Sequence, residues 1–228
     1  MTNKARTSTD KSLFEIGSCA TERVSPAIMK VGTVGSCLWW SSDGRAIAPV
    51  DFFAPRVSRP VEATKVGTVA AFDLDQTLIV PKSGQTWPMD GNDWKWLTAD
   101  VVTKIRKEAE THHIVIFTNQ GGTLLKGKRY EQLIQKMPNI IKELAVPIHI
   151  YAATKEEGSI YRKPEVGMWE LMEKQLVREG IIVDKKGSFY VGDAAGRPSD
   201  HSSSDLEFAN NLDIAFKTPE QWLETDIN

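Results

Sequence analysis

"VGTVAAFDLDQTLI", residues 66–79, decides how this chain is read. An unbroken apolar run leads into Asp73, and Asp75 follows two positions later. Such a run, bounded by polar residues and free of alternation, is the pattern of a strand buried on both faces of a parallel sheet. It places two carboxylates at the tip of that strand. Like charges so close disfavour joint ionisation, so other groups must hold them.

Working outward, the same pattern recurs. Residues 113–119 (HIVIFTN), 147–153 (PIHIYAA) and 187–193 (GSFYVGD) read as further buried strands, and 213–216 as a last short one. Helical segments separate them: 98–110 with Thr98 as its N-cap, 128–145 bent or broken at Pro138, 163–180 with Pro164 near its start and Gly180 past its end, and 202–212. A closing helical turn begins around Pro219. Strands alternating with helices specify a three-layer α/β sandwich around a mostly parallel, Rossmann-like sheet. Before residue 66, the runs 31–40 and 46–53 flank Asp43-Gly44, a hairpin signal. The domain reading is therefore a polar, disordered tail over 1–20, a β-hairpin extension packed on the core over 21–65, and the α/β domain over 66–228, with no large cap inserted.

Composition excludes more than it assigns. In 228 residues, 28 Lys and Arg stand against 30 Asp and Glu, a net charge of −2, so no global basic field marks a nucleic-acid binder. Two cysteines, Cys19 and Cys37, without a Cys/His cluster argue against zinc. No apolar run approaches the roughly 18 residues a membrane span needs.

In a parallel sheet the ligand sits beyond the carboxyl ends of the strands. The residues there are Asp73 and Asp75; Thr118, Asn119 and Gln120; and Gly192 and Asp193, with Arg162 and Lys163 following the third strand across a loop. Three converging carboxylates require a cation, and a hard divalent ion with oxygen ligands, Mg²⁺, suits them. A carboxylate can also attack phosphorus covalently. Asp73 is the candidate nucleophile, Asp75 the acid and base, and Thr118 and Lys163 the groups that meet phosphoryl oxygens.

"FDLDQTLI" (72–79), "IFTNQGG" (116–122), "YRKPEVGMW" (161–169) and "YVGDAAGR" (190–197) resemble the four motifs of the haloacid dehalogenase superfamily. More narrowly they resemble the polynucleotide kinase 3′-phosphatase family, as do "KSG" (82–84), "DW" (93–94) and "DLEFANNLDIAFKTPE" (205–220). The resemblance implies a DNA 3′-phosphatase acting through an aspartyl-phosphate with Mg²⁺. It implies Asp73, Asp193 and the backbone carbonyl of Asp75 on the metal. Lys82, Ser83, Asn119, Gln120, Arg162 and Arg197 become the substrate contacts. DNA with 3′-phosphate ends is the implied partner, alongside other repair proteins. The implied state is a monomer in the nucleus, with the mitochondrion as alternative. Two readings stand against it: a small-metabolite phosphatase of the same superfamily, such as one for histidinol- or sugar-phosphates, and a non-catalytic DNA-end-binding module. Gln76 departs from the pattern, since the superfamily usually has Gly there. Asp200 and Asp205 are the next acids after Asp193, and Asp205 reads as a cap of the following helix. GTLLKGK at 122–128 outlines a nucleotide-binding loop, but Arg129 stands where Ser or Thr would meet magnesium, so a kinase half is not expected here. Lys126, Lys128 and Arg129 read instead as a basic loop toward DNA. Trp87, Trp94 and Trp96 read as packing, with base stacking as the alternative.

Overall fold

The computed structural model describes residues 30–41, 65–123, 127–154 and 158–224. Its centre is β3 (Lys65–Phe72), the strand that carries the opening stretch. β3 pairs in parallel with β6 (His112–Asn119) on one side and β9 (Phe189–Val191) on the other. Outward from β6 lies β7 (Ile148–Ala153), and outward from β9 lies β10 (Ala215–Lys217), both parallel. This is the mixed, mainly parallel sheet that the alternation of runs specified.

The strands are apolar on both faces because both faces are covered. On one, Ala70 and Phe72 of β3 and Ile114 and Ile116 of β6 pack with Ile105, Leu133, Met137 and Trp222. Those last four come from α1 (Val101–Glu108), α2 (Lys128–Leu144) and α5 (Pro219–Glu224). On the other, Val69 and Ala71, with Val115 and Phe117, pack with Trp169, Met172, Phe208 and Ala209. These come from α3 (Gly167–Arg178) and α4 (Ser204–Leu212). The period of two along each strand thus divides one apolar run between two cores.

Several details differ from the sequence reading. The N-terminal hairpin turns at Gly35-Ser36, between β1 (Lys30–Val34) and β2 (Cys37–Ser41), with Gly35 at φ 55°. Asp43-Gly44 and the tail over 1–20 lie outside the described residues. β2 pairs antiparallel with β7, so this hairpin extends the main sheet. α1 begins at Val101, with Asp100 rather than Thr98 at its N-cap and no side-chain capping bond. α2 runs unbroken through Pro138. Its buried stripe continues on both sides of the proline, and tertiary packing carries the helix past one missing N–H. A short strand, β8 (Ile181–Val183), pairs with the start of β3 and has no counterpart in the sequence reading. Beyond the tip of β3, β4 (Ile79–Val80) and β5 (Lys95–Trp96) pair antiparallel and frame a flap over residues 81–94.

Candidate active site

At the C-terminal end of β3, the Asp73 amide donates to the Val191 carbonyl at 2.8 Å. That bond fixes the tip of β3 against β9, which leads into Asp193. Asp73 is buried. Its Oδ1 accepts from Lys163 Nζ at 2.6 Å. Lys163 arrives on the loop between β7 and α3, and Asn119 at the end of β6 holds its backbone from both sides. The Lys163 amide donates to Asn119 Oδ1 at 2.9 Å, and Asn119 Nδ2 donates to the Lys163 carbonyl at 3.1 Å.

The Lys163 ammonium makes two more bonds, to Asp205 Oδ1 and to the Tyr190 hydroxyl, both at 2.7 Å. Its three N–H groups are all used by the protein. Asp205 lies in the first turn of α4 and is fully enclosed. Its other oxygen accepts from the Ala194 amide at 3.0 Å, and Tyr190 also donates to Oδ1 at 3.1 Å. Gly192 makes room for this carboxylate, because a Cβ there would sit 2.5 Å from the Asp205 carboxyl carbon. Asp205 is therefore a member of the site rather than a helix cap. It occupies the buried acidic position, while Asp200 pairs with Arg197 at the surface side of the same loop.

Asp73, Asp193 and Asp205 each offer an oxygen within 4.8 Å of the others. Three carboxylates against one ammonium leave excess negative charge in a desolvated place. Burial, reinforced by Asp205 and Asp193, pushes the Asp73 carboxyl well above its usual range, with Lys163 opposing. Burial and Asp205 raise Asp193 too, against the bond from Thr77. Burial pulls Lys163 down, but Asp205 and Asp73 outweigh it and the ammonium is held above its ordinary value. These directions describe a site short of positive charge. Both Asp205 oxygens are already bonded, so Asp73 and Asp193 are the residues fitted to a hard divalent cation. Thr77 secures Asp193, donating to its Oδ1 at 3.1 Å and accepting from its amide at 3.0 Å.

Asp75 belongs to a second arrangement. Its Oδ2 accepts from Gln120 Nε2 at 2.6 Å and its Oδ1 from Lys136 Nζ at 3.2 Å. Gln120 also donates to the buried Thr118 Oγ1 at 2.8 Å, which leaves the Thr118 hydroxyl proton for another acceptor. Gln76, between these carboxylates and Thr77, has φ 65° and donates its amide to the Ile79 carbonyl at 2.8 Å. The turn needs the left-handed conformation that glycine takes readily, and here glutamine takes it.

The expected substrate contacts divide. Asn119 and Gln120 hold Lys163 and Asp75. Ser83 bonds Asp93 through both its amide and its hydroxyl, at 2.8 and 2.7 Å, and the Met89 amide joins them at 2.8 Å. Asp93 is the hub of the flap. Lys82 lies 5.9 Å over the Trp94 ring. Arg197 pairs with Asp200 and Glu220 and donates to the Asp193 carbonyl. Arg162 is half-buried, and its Nη1 is enclosed without a hydrogen-bond partner among the described residues. Trp94 packs in the core, edge-on to Trp96, whereas Trp87 stands 79% exposed on the flap. In the basic loop, Arg129 bonds the Gly121 carbonyl, and Lys126 lies outside the described residues.

Residues 68–223 match the family model described as polynucleotide kinase 3 phosphatase. The chain is 39% identical over 186 residues to an uncharacterised 20.8 kDa protein of Autographa californica nuclear polyhedrosis virus, covering 78% of this chain and 96% of that one. It is 42% identical over 153 residues to the bifunctional polynucleotide phosphatase/kinase of Schizosaccharomyces pombe. That match covers 67% of this chain but 36% of the relative, so the chain spans about a third of the bifunctional protein. With the polynucleotide 3′-phosphatase of Saccharomyces cerevisiae it shares 31% identity over 221 residues, covering 74% and 93% of the two chains. Among solved structures, a Mesorhizobium loti protein described as HAD-like superposes with a TM-score of 0.51 at 18% identity, over 66% of this chain and 71% of that one. This last likeness concerns the fold alone.

Proposed function

The chain belongs to the polynucleotide kinase 3-phosphatase family, and from that membership and the site's geometry we propose that it removes 3′-phosphates from DNA ends. The observation that carries the reading is the pairing of the buried Asp73 with Lys163 at 2.6 Å, beside Asp193 and within two residues of a separately held Asp75.

Asp73 Oδ attacks phosphorus and forms the aspartyl-phosphate. Asp75 gives a proton to the departing 3′ oxygen, then takes one from the water that hydrolyses the intermediate. Lys163 and Asp205 fix the Asp73 carboxylate, so the nucleophile is oriented before substrate arrives. Thr118 Oγ1, whose proton is unclaimed among the described residues, is the candidate donor to a phosphoryl oxygen, and Arg162 remains a candidate substrate contact. Mg²⁺ held by Asp73, Asp193 and the Asp75 carbonyl would supply the positive charge the cluster lacks. Trp87 offers an exposed face for a terminal base, and Lys82 and Arg197 remain candidates for the strand itself. The short flap leaves the site open to a polymer end, which favours DNA over a small sugar phosphate. A monomer working in the nucleus with other repair proteins fits this role. No helix among the described residues is long and apolar enough to cross a membrane.

The test offers a 3′-phosphorylated oligonucleotide, its 5′-phosphorylated counterpart and histidinol phosphate, each with Mg²⁺ or EDTA. Turnover of the 3′-phosphate alone, lost in EDTA and in Asp73→Asn, is the expected result. Turnover of histidinol phosphate without the 3′-phosphate would sink the DNA reading, and activity surviving Asp73→Asn would remove the nucleophile.

A further inference from the structure

α2 carries a charge where its packing calls for a hydrocarbon. Its buried residues are Leu133, Lys136, Met137, Ile140, Ile141 and Leu144, the three-and-four spacing of a core-facing stripe. The Lys136 side chain is 6% exposed. An ammonium taken out of water is unfavourable unless it is paired, and this one donates to Asp75 Oδ1 at 3.2 Å. Asp75 itself is 42% exposed at its side chain. Left alone, such a carboxylate would sample several rotamers. Here Lys136 grips one oxygen and Gln120 the other, so the plane of the carboxylate is fixed from both edges. The two donors sit on rigid elements, α2 and the end of β6.

We infer that Lys136 is a positioning residue for Asp75, setting the direction in which that carboxyl group exchanges protons. The inference rests on the phosphatase reading above. In the first half-reaction the Asp73 oxygen–phosphorus bond forms as the bond from phosphorus to the leaving oxygen breaks, and the Asp75 proton moves to that oxygen. In the second, water oxygen bonds to phosphorus, its proton goes to Asp75, and the Asp73–phosphorus bond breaks to release phosphate. An alcohol leaving group such as the DNA 3′ oxygen needs the first proton. A nitrophenolate leaving group is stable as an anion and does not. Both substrates need Asp75 in the second half.

The experiment compares wild type and Lys136→Met on a 3′-phosphorylated oligonucleotide and on p-nitrophenyl phosphate, in single-turnover and burst modes. Methionine suits the apolar stripe, and a thermal melt checks folding. General acid–base assistance is worth about 10²–10⁴-fold, so a misaimed Asp75 is expected to slow phosphoryl transfer from the oligonucleotide by about 30–100-fold. First-turnover release of nitrophenolate stays within about threefold, followed by slow steady turnover, so one equivalent bursts. The oligonucleotide gives no burst and its KM stays within about threefold. An unchanged oligonucleotide rate, an equal first-turnover loss on both substrates, or a loss carried in KM overturns the inference. Should Lys136→Met not fold, Lys136→Gln decides by the same comparison. A wild type inert to both substrates removes the phosphatase reading and this role with it. One active on the aryl ester but not the oligonucleotide removes only the DNA reading, and glycerol phosphate then serves as the alcohol leaving group.

Discussion

Asp205→Asn separates two accounts of one residue by magnitude. As a helix-start residue, Asp205 would be replaced by Asn almost without loss, since the two serve equally well at helix N-termini, and the remaining dipole effect is at most about 1 kcal/mol. The structure gives it other work. Its Oδ1 takes Lys163 Nζ at 2.7 Å and the Tyr190 hydroxyl at 3.1 Å, and its Oδ2 takes the Ala194 amide at 3.0 Å, all out of water. Breaking a buried ion pair costs about 3–5 kcal/mol. Lys163 keeps Asp73, and the Asn oxygen still accepts one bond, so about half of that applies. The Asn amide must then face either the Ala194 N–H or the Lys163 ammonium, stranding a buried donor at about 1–3 kcal/mol. Together these give about 2.5–5.5 kcal/mol. For a chain of this size each kcal/mol lowers Tm by about 2–4 °C, so the expected fall is about 5–22 °C by differential scanning calorimetry. Glu207→Gln, on the exposed side of the same first turn, is the control and should shift Tm by about 2 °C or less. If Asp205→Asn melts within about 2 °C of wild type, the assignment of Asp205 to the site is wrong.

Gln76→Gly should hold Tm or raise it by up to about 6 °C: relief of a left-handed glutamine is worth about 1–2 kcal/mol, and glycine's greater unfolded-state freedom takes back about 0.5–1 kcal/mol; a lower Tm would mean the turn is not strained. Trp87→Ala should raise KM for the 3′-phosphorylated oligonucleotide about 5- to 150-fold, from the 1–3 kcal/mol of one stacked base, while p-nitrophenyl phosphate kinetics stay unchanged; equal effects on both substrates would remove the stacking role. Asp93 is held below the usual carboxylate range by the Met89 amide first and then by Ser83. Its contribution is therefore present above its unfolded value, near pH 4, and is lost as pH falls through its lower folded value. The Tm gap between wild type and Asp93→Asn should be widest above about pH 5 and close in more acid solution, and a pH-independent gap would refute the linkage.

How much of this was legible depended on whether a residue announced itself against its local pattern. Asp73 and Asp193 did, because a charge at the end of a buried run has no ordinary packing role. Lys163 did through its neighbours in the third motif. Asp205 did not, since an acid in the first turn of a helix is what dipole arguments lead one to expect. Only the fold brings α4 against Gly192 and turns an unremarkable acid into a partner of Lys163. Tyr190 was hidden in an apolar strand, where one hydroxyl is invisible to periodicity. Lys136 left a trace: written on a helical wheel, it interrupts the stripe from Leu133 to Leu144. The turn at Gly35-Ser36, inside the run 31–40, was not legible because Gly-Ser is a weaker local signal than Asp43-Gly44, and the turn gains from the pairing of β2 with β7. Pro138 is a local penalty overridden by packing on either side of it in α2.

The repulsion between Asp73 and Asp75 now has a structural answer. The two side chains go to different partners, and each finds its own buried ammonium. Lys163 comes from the loop after β7 and meets Asp73, with Asp205 sharing it. Lys136 comes from α2 on the opposite face of the sheet and meets Asp75. The two lysines are enclosed, so neither is a screened surface charge whose pairing would be worth little. In the proposed reaction the division matches two chemical demands. A nucleophile that forms and breaks a bond to phosphorus must be fixed and dry, and Asp73 is buried. A proton carrier must face both a leaving group and a water, and Asp75 remains partly exposed while its plane is fixed. Two carboxylates two residues apart can hold different roles because the loop after β7 and the helix α2 supply their counter-charges separately.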